Sequence, residues 1–177
     1  FKKYTQKYLA YRLLNDLLDL EYTDISKPNI PNKLVPLSEI FDVHNGLASS
    51  YVEVKIDPES ENDIRYIRPS QSYGGSIAGY VDKSYIDEKY IYADNTIYIS
   101  TDGQGSHSYT YVSSFDFVPN SNVSVLIPKR EMSLQEKIFY SICLTINRFK
   151  FSYGRKPKGE RLKEILLPLT PPDYVYQ

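Results

Sequence analysis

The chain of 177 residues is poor in the residue types that build disulfide scaffolds and zinc sites. Its one cysteine, Cys143, excludes a disulfide within the chain. Its two histidines, His44 and His107, are too few to argue for a Cys/His zinc centre. No uninterrupted apolar run of about 18 residues occurs, so we expect no membrane-spanning helix. These absences predict a cytoplasmic protein without a metal site.

The chain also lacks an overall excess of positive charge, since its formal net charge is −1. This balance argues against an indiscriminate nucleic-acid binder, which is normally basic throughout. The cations are unevenly spread, because residues 148–163, the basic segment, hold seven Lys or Arg against one acid, Glu160. Aromatic residues and Gly154 accompany these cations. The mixture favours a phosphate-binding surface, the alternative being a solvated face at the end of a helix.

The hydrophobic pattern divides the chain into three parts. Leucines recur at helical spacing in residues 3–21, and a polar, proline-containing linker follows at residues 26–32. We therefore predict an N-terminal helix and linker over residues 1–32, a main domain over residues 33–168, and a C-terminal connector over residues 169–177.

The main domain begins with short stretches that alternate between apolar and polar residues, which is typical of strands. Turn-rich segments at residues 69–79, 102–108 and 119–122 separate some of these stretches. The strands predicted from this pattern are Tyr51–Ile56, Ile64–Ile67, Thr96–Ile99, Tyr109–Val112 and Val123–Ile127.

A helix is predicted late in the main domain, over residues 133–148. Ser133 and Glu136 have the spacing of a capping box, which marks a helix N-terminus. The apolar residues that we expect on its packed face are Ile138, Phe139, Ile142, Cys143, Ile146 and Phe149. The predicted fold is α+β: mostly short β-strands in a twisted, partly barrel-like sheet, one late packed helix and a separate N-terminal helix.

The first candidate binding loop is residues 69–76. It follows a predicted strand region that carries Arg65 and Arg68, and it contains Gln71 and Tyr73. Arginine and glutamine can hydrogen-bond base edges, and tyrosine can stack or reach a phosphate. Taken alone, the loop is more typical of an ordinary flexible hairpin than of a binding site.

The second candidate loop is residues 101–108, which contains Gln104 and His107. Its glycine pair is not a dinucleotide-binding fingerprint, because Ser108 stands where a third glycine is required. Asp102, Ser106 and His107 could suggest a catalytic triad, but neighbouring residues of one loop rarely reach that geometry. We therefore predict no catalytic residue here.

The order of several segments resembles the target-recognition domain of restriction–modification DNA specificity subunits, of type I or related type II systems. Each segment is a weak signal, and their shared order over residues 33–168 carries the resemblance. The long helical spacer and second domain usual in that family are missing, which suggests a piece of a larger protein. The matching segments are Leu37–Gly46, Ile64–Ser70, Asn95–Gly103, Val123–Lys129, Phe151–Lys156 and Ile165–Pro168.

The resemblance implies a non-catalytic reader of double-stranded DNA. Such a domain reads one half of a bipartite target and positions a partner adenine methyltransferase, with a nuclease as a further subunit or fused domain. It needs no cofactor itself, because S-adenosylmethionine belongs to the partner. From residue chemistry, the predicted base readers are Arg68, Gln71, Tyr73, Gln104 and His107. The predicted contacts to DNA phosphates are Lys150, Arg155, Lys156 and Lys158, and Tyr153 is a further predicted DNA contact. The alternative is a β-rich module that binds carbohydrate or protein.

Overall fold

The computed structural model describes residues 33–103, 105–151 and 155–176, with the side chain of residue 174 left out. The predicted N-terminal helix and linker lie outside these ranges. Within them the strands are β1 (Leu34–Pro36), β2 (Phe41–Asn45), β3 (Asp63–Ile67), β4 (Ile77–Asp82), β5 (Ile97–Ser100), β6 (Thr110–Val112), β7 (Phe117–Pro119), β8 (Val123–Pro128) and β9 (Leu166–Pro168). The helices are α1 (Leu37–Ile40), α2 (Leu134–Ile146) and α3 (Glu160–Lys163).

Helix α2 begins where its capping sequence predicts. The Ser133 side chain accepts from the Glu136 amide at 3.2 Å, and the Glu136 carboxylate accepts from the Ser133 amide at 2.8 Å. These two bonds satisfy N–H groups that have no partner inside the helix. The helix continues into a 3₁₀ turn at Asn147–Lys150, which leads into the basic segment. The predicted helix is therefore confirmed.

The described strands form three separate sheets and no closed barrel. The largest sheet is antiparallel, with the order β2-β8-β5-β6. A second sheet has the order β4-β3-β7, in which β3 and β7 run parallel. The third joins β1 and β9, with Leu34 opposite Pro168 and Pro36 opposite Leu166. The α+β class is confirmed, although the single barrel-like sheet is replaced by these three.

Strand β5 lies between two apolar clusters, which is why all four of its residues are buried. Ile97 and Ile99 face a core shared with Phe41, Tyr140 and further residues of α2, α3 and β9. Tyr98 points to the opposite side, into a second cluster formed largely by β7 and β8. The four-stranded sheet is thus covered on both faces, as its apolar strands require.

Four of the five predicted strands are present, as β3, β5, β6 and β8. The prediction for Tyr51–Ile56 was wrong. Ser49–Tyr51 forms a 3₁₀ turn, and Lys55 makes only an isolated bridge to Tyr80. Ile56 is 89% exposed, so the alternation there does not reflect a buried sheet face. The turn-rich segment predicted to reach residue 79 ends earlier, because β4 begins at Ile77.

Gly46 allows two segments to pack backbone against backbone. Its amide donates to the Val123 carbonyl at 3.2 Å, and the next amide, of Leu47, donates to the Pro119 carbonyl at 2.7 Å. A β-carbon on Gly46 would collide with the backbone of Asn120. The glycine that closes the family-like segment Leu37–Gly46 is therefore required by packing.

The described part of the predicted C-terminal connector contacts the main domain. Pro171 and Pro172 are buried. The Tyr176 hydroxyl donates to the Glu136 carboxylate at 2.9 Å. The domain boundaries at residues 32 and 168 stay predictions.

Candidate nucleic-acid interface

The two candidate loops lie against each other, because β3 and β5 deliver them to the same end of the sheets. The Ser70 amide donates to the Ser100 hydroxyl at 3.3 Å, and the Tyr111 hydroxyl donates to the Ser70 carbonyl at 3.4 Å. At the loop tips, a β-carbon on Gly105 would lie only 2.7 Å from the side-chain nitrogen (Nε2) of Gln71. The two loops therefore form one continuous surface.

The second loop is held in a tight conformation by its own backbone. The Ser108 amide donates to the Ser100 carbonyl at 2.7 Å and closes the loop. Gly103 and Gly105 have positive φ angles, and Ser108 also does, at 64°. The Ser106 hydroxyl donates to the Asp102 carbonyl at 3.4 Å, whereas the serine of a catalytic triad donates to a histidine.

The basic segment contacts the second loop through an ion pair. Lys156 Nζ lies 2.5 Å from Asp102 Oδ1. Hydrogen bonds from Lys156 and from the Gly103 amide hold the pKa of Asp102 below its usual value, and the Lys158 charge contributes. The predicted phosphate contact Lys156 is thus close to the loops, and part of its charge is already compensated.

The first loop rests on a group of aromatic rings. The Tyr73 hydroxyl accepts from the Ser114 amide at 2.6 Å, and its ring lies 5.8 Å from that of Tyr111 and 5.6 Å from that of Phe115. Below them, burial raises the pKa of Tyr98, whose hydroxyl is 2.8 Å from the Ser76 hydroxyl. Tyr73 therefore supports the loop, with both its ring and its hydroxyl engaged by protein.

The other predicted site residues differ in exposure. Arg68 and Gln71 are exposed, and His107 is half-buried. Gln104 and Tyr153 lie outside the described residues. The other predicted phosphate contacts of the basic segment are exposed: Lys150, Arg155 and Lys158.

Two arginines were missed as candidates by the sequence reasoning. The Arg65 guanidinium carbon lies 4.4 Å from the centre of the Phe115 ring. That of Arg148 lies 5.0 Å from the Tyr109 ring and 4.4 Å from the Phe149 ring. Arg148 stood out only as one cation of the basic segment. The sequence gives no sign of the Tyr109 contact, because it joins residues 39 positions apart.

The outer face of α2 differs from the prediction. Ile138, Ile142 and Ile146, which we expected to pack, are 43–62% exposed, and Phe149 is 73% exposed. The buried side is formed instead by Glu136, Tyr140, Ser141 and Leu144. The exposed isoleucines and Leu134 line one wall of an apolar groove of about 640 Å³, whose other wall includes Tyr109 and Tyr111. Tyr140 and Leu144 are also apolar and have helical spacing. The spacing of apolar residues alone therefore does not show which face of α2 is buried.

Cys143 lies at the edge of the core and is partly buried, as the prediction of a small core residue expects. Burial raises the pKa of its thiol to about 11. In the described ranges, no three His, Cys, Asp or Glu side chains form a group that could hold a metal ion. No helix in those ranges is long and apolar enough to cross a membrane.

The two adjoining loops and the basic segment form one surface of an α+β domain. Residues 29–174 match the model of the type I restriction modification DNA specificity domain. The chain therefore belongs to this family, which confirms the family resemblance. Because specificity domains are non-catalytic, membership also agrees with the prediction of a module without enzyme activity. Among curated proteins, no match was found.

Solved structures show the same fold at low sequence identity. The S subunit of a type I system from M. genitalium is 18% identical, with a TM-score of 0.55 over 80% of this chain and 35% of its own. The HsdS subunit from Thermoanaerobacter tengcongensis is 14% identical, with a TM-score of 0.59 over 98% of this chain and 42% of its own. A structure from a study of complex assembly and conformational transition in the type I system is 16% identical, with a TM-score of 0.57 over 98% of this chain and 43% of its own. The chain thus spans less than half the length of each.

Proposed function

We propose that this domain binds double-stranded DNA with the joined loops and the basic segment, and reads one half of a bipartite target. The observation that carries the proposal is the contact of both loops and the basic segment in one surface, in a member of a DNA specificity family. Base edges are read by side chains that enter a groove, and phosphate contacts fix the register. The loop tips and the adjoining cations supply these two kinds of contact.

Different exposed side chains serve base reading and phosphate binding. Arg68 and Gln71 have exposed side chains beside the loop junction, where they can reach base edges. Lys150, Arg155 and Lys158 present solvent-facing charges for phosphates. Because Asp102 compensates the charge of Lys156, we assign this lysine only a small share of the phosphate binding while the pair is intact. Gln104, Tyr153 and His107 stay predicted contacts.

The proposed partner is an adenine methyltransferase, which this domain would place over its target base and which would bring its own S-adenosylmethionine. A nuclease subunit or fused domain would complete a restriction system. Support comes from the family and from the solved relatives, each of which is more than twice as long as the part that this chain covers. A cytoplasmic location follows from this role as a prediction.

The test of DNA binding is the salt dependence of affinity. The 177-residue chain should bind a fluorescently labelled 30-base-pair duplex of mixed sequence, with affinity measured by anisotropy from about 50 to 200 mM salt. With the three phosphate contacts assigned above, the slope of log K against log salt should be about −3 or steeper. Lys83→Ala is the matched control, because Lys83 is exposed and follows the end of β4 farthest from the first loop. A slope near zero would contradict the proposal.

The test of base reading is Arg68→Ala. Duplexes selected from a randomised pool by the original chain should share a sequence, and the variant should tolerate any base at one position of it. The original chain should favour the correct base there by roughly 1–3 kcal/mol, as expected for a bidentate arginine contact. Uniformly weaker binding with unchanged preference would instead make Arg68 a phosphate contact.

The alternative of a protein-binding module has one supporting observation, the apolar groove beside the exposed face of α2. Protein binding through that groove would not depend steeply on salt, because its walls are mainly apolar. The salt titration therefore separates the two functions. Carbohydrate binding, the other part of the predicted alternative, would likewise show little response to salt.

A further inference from the structure

Arg148 lies where the end of α2 meets the second loop, and aromatic rings hold it there. Its guanidinium carbon is 4.4 Å from the centre of the Phe149 ring and 5.0 Å from that of Tyr109, the residue that follows the loop. The backbone supports the position, because Arg148 belongs to the 3₁₀ turn Asn147–Lys150. The guanidinium is therefore fixed beside the proposed DNA surface by contacts that do not neutralise its charge.

Among the residues that the structure describes, Lys156 has a carboxylate partner and Arg148 has none. Lys156, at the same loop, has Asp102 at 2.5 Å. An arginine stacked on rings keeps its full charge and presents the N–H groups at its edge, which match the oxygens of a phosphate. Of these two side chains, Arg148 is the better suited to bind an anion.

Arg65 repeats the arrangement beside the first loop. It lies over the Phe115 ring at 4.4 Å, and Phe115 packs on Tyr73 of that loop. No ion pair of the described residues involves Arg65 either. Each loop therefore has beside it one arginine in a cation–π contact. Arg65 lies beside the first loop, and Arg148 lies beside the second.

We infer that Arg148 and Arg65 bind backbone phosphates of a DNA duplex and fix the orientation of the two loops over the bases. The inference rests on the proposed function and names two contacts that the sequence reasoning did not assign. Since phosphates are the same at every step of a duplex, these contacts supply affinity and register without sequence preference. The rings add pre-organisation, because a guanidinium already held in one plane loses less freedom when it binds.

The experiment compares Arg148→Ala, Arg148→Lys and Lys83→Ala in the 177-residue chain, with the mixed-sequence duplex as the probe. Arg148→Ala should lower affinity for all duplexes alike, by roughly tenfold, and reduce the salt slope by about one. Arg148→Lys should restore the slope and only part of the affinity, because it keeps the charge and loses the planar fork. Lys83→Ala should bind like the original chain.

Arg65→Ala should show the same uniform loss as Arg148→Ala, with thermal unfolding confirming that both variants are folded. If the original chain binds with a steep salt slope and neither arginine variant changes it, the inference is overturned while DNA binding stands. A change of preferred sequence would also overturn it, since it would make these arginines base readers. If the original chain itself shows no salt dependence, the proposed function fails first.

Discussion

Two cation–carboxylate pairs of this domain have nearly the same length and very different surroundings. Arg130 lies 2.6 Å from Glu136, and Lys156 lies 2.5 Å from Asp102. The Glu136 side chain is 7% exposed, and it also accepts from the Ser133 amide and the Tyr176 hydroxyl. The Asp102 side chain is 29% exposed, and its other bond is to the adjacent Gly103 amide.

The contrast shows that the contribution of an ion pair to stability depends on which other groups its carboxylate binds. Glu136 joins three parts of the domain: the start of α2, the segment before it and the C-terminal turn. Removing a buried, multiply bonded carboxylate leaves several donors without partners. Among the described residues, Asp102 joins the second loop to the basic segment at a partly exposed site, where an ion pair contributes little to stability. The first pair supports the fold, and the second sets the charge of the proposed interface.

The largest effect should come from Glu136→Ala, because it removes the capping box and the ion pair together. We expect a loss of about 2–3 kcal/mol in the free energy of unfolding. Glu136→Gln should lose less, since glutamine can still complete a capping box. Urea unfolding measures both. The control is Glu131→Ala, which removes an exposed carboxylate in the same connection. Equal stability of the Glu136→Ala and Glu131→Ala variants would show that the Arg130–Glu136 pair does not stabilise the fold.

Acid should act on the same pair with a smaller effect. Mainly through the Arg130 hydrogen bond, the pKa of Glu136 falls from 4.5 to about 2. A carboxyl with a depressed folded-state pKa stabilises the fold above its unfolded value, and that contribution disappears as the pH falls through the folded value. The stability difference between the original chain and Glu136→Gln should therefore shrink by roughly 1–2 kcal/mol between pH 5 and pH 2, the partial exposure of Arg130 keeping it modest. A difference that stays constant over this range would show that the charge of Glu136 adds nothing.

The smallest effect on stability should come from Asp102→Asn. The same substitution should also change DNA binding. We expect the free energy of unfolding to change by less than about 0.5 kcal/mol. The freed Lys156 should strengthen binding of the mixed-sequence duplex and make the salt slope steeper by about one. Anisotropy titrations and urea unfolding of the same sample separate the two results. Weaker binding would mean that the ion pair chiefly orients the basic segment.

The parts of the fold that depend on neighbouring residues were predictable from the sequence. The capping residues Ser133 and Glu136 gave the start of α2, and alternation gave β3, β5, β6 and β8. The short strands β1, β7 and β9 consist only of apolar residues and proline, so they show no alternation. Tyr51–Ile56 shows the reverse error, because alternation without a neighbouring strand does not produce a sheet.

The candidate site was predictable in its segments and not in its contacts. Turn residues and clustered cations identified the two loops and the basic segment. The contact of Arg148 with Tyr109, the ion pair of Lys156 with Asp102 and the exposure of the α2 isoleucines all depend on how distant segments pack. Sequence chemistry therefore indicated which segments bear charge, and the fold determines which of those charges are available.

The pairing of β1 with β9 brings the first and the last strand of the described chain side by side. Leu34 faces Pro168 across the ladder, and the Leu169 amide donates to the Lys33 carbonyl at 3.0 Å. The strands that lead in and out of the domain thus run side by side, about 5 Å apart. A protein that carries such a module between fixed flanks can replace it with another of the same outline, and acquire new loops without rebuilding its framework.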